Sequence, residues 1–186
     1  MPVDPATLRI KIYPADILRR KADEVDPTPE VVAVARQMIA IMHEAPGIGL
    51  AAPQVGLPWR LFVADVPADP ERNPPLLPDA SPPTASPKPE ILINPAIEST
   101  EGPPELGEEG CLSLPDILGD VPRPPVVTMS WTDIEGERQS RTVGGLLARC
   151  WQHELDHLDG VLILDRMTNP SRTRNRTRIR NLERGM

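Results

Sequence analysis

Residues 144–160, GGLLARCWQHELDHLDG, constrain the fold more than any other part of the chain. Leu146, Leu147, Cys150, Trp151, Leu155 and Leu158 recur at helical spacing, and Gly160 stops the pattern. These apolar positions surround much of the helix instead of forming one stripe, so the helix must be buried and covered from more than one side. The remainder of the chain has to supply that cover.

Several segments can do so. Pro29 suits a first helical turn with Thr28 as its cap, and Val31, Val34, Ala35, Met38, Ile41 and Met42 follow at helical spacing. Pro46, Gly47 and Gly49 end that helix. RLFVADV at 60–66 reads as a buried strand, ILIN at 91–94 as another, and VLILD at 161–165 as a last short one. VVTMSWTDIEGERQSRTV places Val127, Met129 and Trp131 on one face with a turn near Glu135 and Gly136, which predicts an antiparallel hairpin. Short strands on both sides of one late helix predict an α+β fold, with antiparallel β-sheets packed around a central buried helix that carries the His-Glu-x-x-His motif.

A length of 186 residues suits one domain. We expect a catalytic domain over 1–166, interrupted by a proline-rich insertion at 67–90 that reads as a long exposed loop. Residues 167–186 are expected to be a basic tail or short helix, because seven arginines stand against one glutamate from 166 to 186. The net charge of −7 argues against the whole chain binding nucleic acid, so an anionic partner would meet that end. Two cysteines are too few for a secreted disulfide framework, and no stretch approaches the roughly 18 apolar residues of a membrane span. These features predict a soluble cytoplasmic protein without membrane association.

His153 and His157, four apart, lie on one helix face about 6 Å apart along the axis and can converge on one ion. Glu154 is turned roughly 100° from His153, beside the ion without being forced to ligate it, as a base for a metal-bound water requires. A third protein ligand is needed. The candidates are Cys150, His43, Cys111 and several carboxylates. Cys150 shares the face but lies about 10 Å from His157 along the axis, too far for one ion, and reads as a small buried residue lining the site. Cys111, in GEEGCLSLP, has glycines and a proline around it that let the backbone bend, and it is the favoured ligand.

Three segments together resemble the signature motifs of the peptide deformylase family: GIGLAAPQ at 47–54, EGCLS at 109–113 and HELDH at 153–157. Their order and spacing match, as do LRRKADEV at 18–25 and VPRPPVV at 121–127. The resemblance implies a hydrolase that removes the formyl group from the N-terminal formylmethionine of newly made polypeptides, releasing formate. It implies Cys111, His153 and His157 as metal ligands and Glu154 as general acid/base, with metal-bound water attacking the formyl carbonyl. Gln54 and the Leu112 amide would hold the oxyanion, Ile48 and Gly49 would line the substrate groove, and Leu146 and Cys150 would help form the methionine pocket. The implied cofactor is one divalent ion, iron(II) in the cell, with zinc, nickel or cobalt able to take its place.

Three further expectations concern the surroundings of this site. Arg123 is expected to pair with Glu109 behind it, and Asp156 to serve a structural role facing away from His153. Arg149 departs from the apolar residue common next to the pocket. For a deformylase at the ribosome exit, the basic tail is a candidate contact with ribosomal RNA. Two other readings use the same helix: a zinc endopeptidase, and a non-enzymatic module in which the metal only staples the fold.

Overall fold

The computed structural model describes residues 2–69, 71, 73–75 and 81–185; residues 70, 72 and 76–80 of the proline-rich segment lie outside them. Five strands form one antiparallel sheet: β1 (Gly49–Ala51), β2 (Leu61–Ala64), β3 (Glu90–Glu101), β6 (Val126–Thr132) and β7 (Arg138–Gly144), in that spatial order. β4 (Glu105–Cys111) and β5 (Leu114–Arg123) form a separate antiparallel pair. The helices are α1 (Pro29–Glu44), α2 (Gly145–Leu158), α3 (Ile163–Arg166) and α4 (Asn169–Glu183).

The unbroken apolar run Leu-Phe-Val-Ala in β2 follows from burial on both faces. Successive side chains of a strand point to opposite sides. Leu61 and Val63 join Val34, Ala35, Met38 and Met42 of α1, whereas Phe62 and Ala64 join Leu147, Ala148 and Trp151 of α2. The neighbouring β3 repeats the division, with Ile93 on the α1 side and Leu92 on the α2 side. The two helices therefore sandwich the start of the sheet. In α1, Pro29 occupies the first turn and the Thr28 hydroxyl accepts from the Val31 amide at 3.3 Å. The expected hairpin is present as β6 and β7, with Val127 opposite Val143 and Met129 opposite Arg141.

A third cluster joins Leu114, Ile117 and Val121 of β5 to Leu162, Ile163, Leu164 and Met167 and to Ile179 of α4. Here the structure departs from one expectation. VLILD holds α3 rather than a strand: the Asp165 carboxylate accepts from the Leu162 amide at 2.8 Å and closes a helical turn. A four-residue apolar run is compatible with either element, and here Leu162, Ile163 and Leu164 are buried.

The basic end, expected as a tail or short helix, is a fifteen-residue helix seated on β5. Its buried positions, Ser171, Asn175 and Ile179, are spaced four apart, but two of them are polar. Ser171 donates to Asp120 at 2.7 Å and Asn175 donates to the Leu118 carbonyl at 2.7 Å. Such a helix shows no apolar stripe.

The proline-rich segment likewise departs from an exposed loop at Asn73 and Thr84, which are 5% and 8% exposed. Both lie against the start of α2.

Candidate metal centre and active-site groove

α2 presents His153 and His157 from consecutive turns, with their Nε2 atoms 3.2 Å apart. Cys111 ends β4 at a register shift between Gly110 and Cys111, and the bend carries its sulfur to 3.3 Å from His157 Nε2. The three donor atoms all lie within 4.8 Å of one another. A tetrahedral ion with bonds of about 2.0 Å to nitrogen and 2.3 Å to sulfur would separate two nitrogens by about 3.3 Å and nitrogen from sulfur by about 3.6 Å. The His153–His157 and Cys111–His157 separations, 3.2 and 3.3 Å, come close to these values, so the residues fit a divalent metal. The other candidates stand apart from it: His43 Nε2 is 2.8 Å from Asp65, and the Cys150 thiol donates to the Ile48 carbonyl at 3.4 Å.

Behind the cluster lies a buried charge network. His153 Nδ1 is 3.0 Å from Glu109 Oε2, which orients the ring so that Nε2 faces His157. Glu109 accepts from Arg123 Nε at 2.6 Å and Nη2 at 2.9 Å, and from Arg149 Nη1 at 2.9 Å. Burial alone would raise the Glu109 pKa, but the bonds from Arg123 and His153 prevail and lower it to about 2. On His153, burial opposes charge, yet the bonds to Cys111 and Glu109 outweigh it and hold its pKa well above the usual value. His157 is pushed the other way, well below the usual value, by burial and by the neighbouring His153 charge.

Arg123 also donates to Asp156 at 2.9 Å, and Arg166 donates to both Asp156 oxygens at 2.8 and 3.2 Å. The expected Arg123–Glu109 pair and the structural role of Asp156 are both present. The Glu109–His153 link was missed, although its signal, an acid two residues before Cys111, is in the sequence. Arg149 lines the cavity wall, but its guanidinium is held by Glu109 and by the carbonyls of Val121 at 2.8 Å and Glu105 at 2.9 Å. Gly107 leaves the space this requires, since a Cβ there would lie 2.6 Å from the guanidinium carbon.

In front of the cluster opens a cavity of about 370 Å³ whose lining includes Ile48, Gly49, Gln54, Leu112, Leu146 and Cys150, together with Cys111, His153 and Glu154. His157, 1% exposed, lies beneath it. Burial raises the Glu154 carboxyl to about 7 against the pull of the His153 charge, and its Oε2 atom has no hydrogen-bond partner among the described residues. β1 passes directly over this carboxyl. A Cβ at Gly49 would overlap Glu154 Oε1 and lie 2.9 Å from the Cys150 sulfur, so only a hydrogen fits. Gln54 accepts from the Ala51 amide at 2.9 Å, which turns its own amide group toward Ser113 Oγ at 3.2 Å and the Cys111 sulfur at 3.5 Å. Ser113 was not singled out from sequence; it is fully buried as the acceptor that aims Gln54.

Two imidazoles and a thiol that converge beside a buried carboxyl, at the floor of an open groove, are the equipment of a metal-dependent hydrolase. The comparisons narrow that class. The polypeptide deformylase family model matches residues 7–173. A peptide deformylase of Desulforudis audaxviator is 41% identical over 88% of this chain and 95% of its own length, and one of Opitutus terrae is 44% identical over 89% and 88%. A solved peptide deformylase of Plasmodium falciparum superposes with a TM-score of 0.81 at 36% identity, covering 95% of this chain and 96% of that one. The chain belongs to the polypeptide deformylase family, metal-dependent enzymes that remove the N-formyl group from nascent peptides.

Proposed function

We propose that Cys111, His153 and His157 hold one divalent ion, iron(II) in the cell and exchangeable for zinc, nickel or cobalt, and that Glu154 is the general acid/base of deformylation. The ion, when bound, polarises the formyl carbonyl and makes water acidic enough to lose a proton near neutrality. Glu154 accepts that proton and returns it to the departing amine. Gln54 and the Leu112 amide donate hydrogen bonds to the developing oxyanion. Ile48 and Gly49, on and beside the edge strand β1, pair with the extended substrate backbone, and Leu146 and Cys150 receive the methionine side chain. The observation that carries this reading is the placing of the buried Glu154 carboxyl, its Oε2 without a partner among the described residues and its Oε1 packed under Gly49, on the helix that presents two of the three convergent donor atoms.

In this reading α2 is the central helix of the catalytic unit, residues 1–166, with 67–90 inserted into it and 167–186 attached as a basic helix. The substrate is a formylmethionyl peptide, and the place of action is the cytoplasm. Among the described residues no helix is long and apolar enough to cross a membrane. Incubation with formyl-Met-Ala-Ser should release formate in equal amount with free amino termini, with both peptide bonds intact. Cleavage of those peptide bonds would indicate an endopeptidase instead.

Arg176, Arg178 and Arg180 are exposed on α4. They are the proposed contact with ribosomal RNA. Changing all three to Glu should abolish co-sedimentation with ribosomes at low salt without altering turnover of a short peptide. Unchanged co-sedimentation would end this part of the proposal.

A further inference from the structure

The first four amides of a helix have no partner within it, and a side-chain cap satisfies at most some of them. α2 begins at Gly144 and Gly145, which offer no capping side chain. Its donors are nevertheless all taken. The Gly144 amide donates to the Pro83 carbonyl at 2.9 Å, Gly145 to Pro125 at 3.1 Å, Leu146 to Asn73 Oδ1 at 3.2 Å and Leu147 to the Thr84 carbonyl at 3.1 Å. Three of these acceptors belong to the proline-rich segment.

Asn73 ties them together. Its Nδ2 donates to the Thr84 carbonyl at 2.6 Å, so one buried side chain accepts from the helix and also fixes the neighbouring acceptor. The packing is close. Gly145 adopts φ +54°, and a Cβ there would lie 2.9 Å from Thr84 Cγ2 and 3.2 Å from Asn73 Oδ1. The residue whose amide Asn73 receives, Leu146, lines the groove wall.

We propose that Asn73 is a positioning residue for substrate selection: it caps α2 from the proline-rich segment and thereby seats Leu146 in the side-chain pocket. The inference rests on the reading of Leu146 as part of the methionine pocket. Glu154 lies eight residues further along α2, about 12 Å along the axis, so loosening the first turn acts on the pocket more than on the proton transfer.

Asn73→Ala should raise KM for formyl-Met-Ala and reduce the preference in kcat/KM for formyl-Met-Ala over formyl-Ala-Ala by about fivefold, the size of a lost helix cap, while kcat changes less than twofold (about). Asn73→Asp retains an acceptor for the Leu146 amide, and its charge suits a helix N-terminus, but it sets a carboxylate oxygen against the Thr84 carbonyl that Nδ2 donates to at 2.6 Å, so it should recover only part of the preference. In a Leu146→Ala background, Asn73→Ala should leave the substrate preference where Leu146→Ala alone puts it. An unmoved preference in Asn73→Ala would overturn the inference, as would a parallel fall of kcat and thermal stability with the preference intact. If Asn73→Ala fails to fold, Asn73→Ser, too short to reach the Leu146 amide, decides: an unmoved preference in that variant would overturn the inference. A wild-type chain that releases no formate would instead overturn the reading of the site on which the inference rests.

Discussion

Replacing Glu154 by Gln is expected to lower kcat for formyl-Met-Ala by a factor on the order of 10² to 10⁴, the range supplied by a positioned acid/base, while the chain keeps its metal. The three donor atoms of the proposed metal site come from Cys111, His153 and His157, and Glu154 is not among them. Its carboxyl is buried, raised to about 7 by that burial, and packed under Gly49. Gln preserves the shape that this packing demands and removes the ability to take up a proton. Formate release and elemental analysis on the same preparation separate the two effects. Full activity in the variant would refute the assigned role, and loss of the metal would place Glu154 among the ligands.

The second large effect is expected on stability. Arg123, 5% exposed, bridges Glu109 and Asp156 with three hydrogen bonds. Arg123→Met keeps the volume but leaves two buried carboxylates short of a partner, and breaking buried ion pairs in this way costs about 3–5 kcal/mol. Arg149 still bonds Glu109 and Arg166 still bonds Asp156, which places the expected loss toward the lower end of that range. A fall in the urea midpoint with an unchanged slope is the measurement. Because Glu109 also orients His153, metal affinity should drop about 10- to 100-fold in the same variant. An unaltered midpoint would show that the network is not under the burden its burial suggests.

The parts of the site that depend on local geometry were legible in the sequence. Helical spacing alone brings His153 and His157 together and excludes Cys150, and the glycines around Cys111 announce a bend able to deliver a third ligand. The contacts that support the site were less legible because they join segments far apart in the chain. Glu109 reaches His153 across 44 positions, and Asn73 reaches Leu146 across 73. Neither residue carries a periodic signal. Arg149 reads as an intrusion into an apolar wall until the neighbouring Gly107 and the carboxylate of Glu109 are seen to accommodate it.

The same distinction holds for the fold. α1, β2 and the β6–β7 hairpin follow from apolar patterns and turn residues. α4 is hidden because its seat on β5 uses Ser171 and Asn175, polar residues that pattern reading assigns to solvent. α3 is hidden because its apolar run is too short to distinguish helix from strand.

The most direct test of the account is to purify the chain without oxygen, measure its metal content, and follow formate release from formyl-Met-Ala before and after removal of the metal by a chelator. One divalent ion per chain is expected, with no formate release after chelation and recovery on adding iron(II), zinc, nickel or cobalt. Undiminished formate release by protein shown to have lost its metal would contradict it.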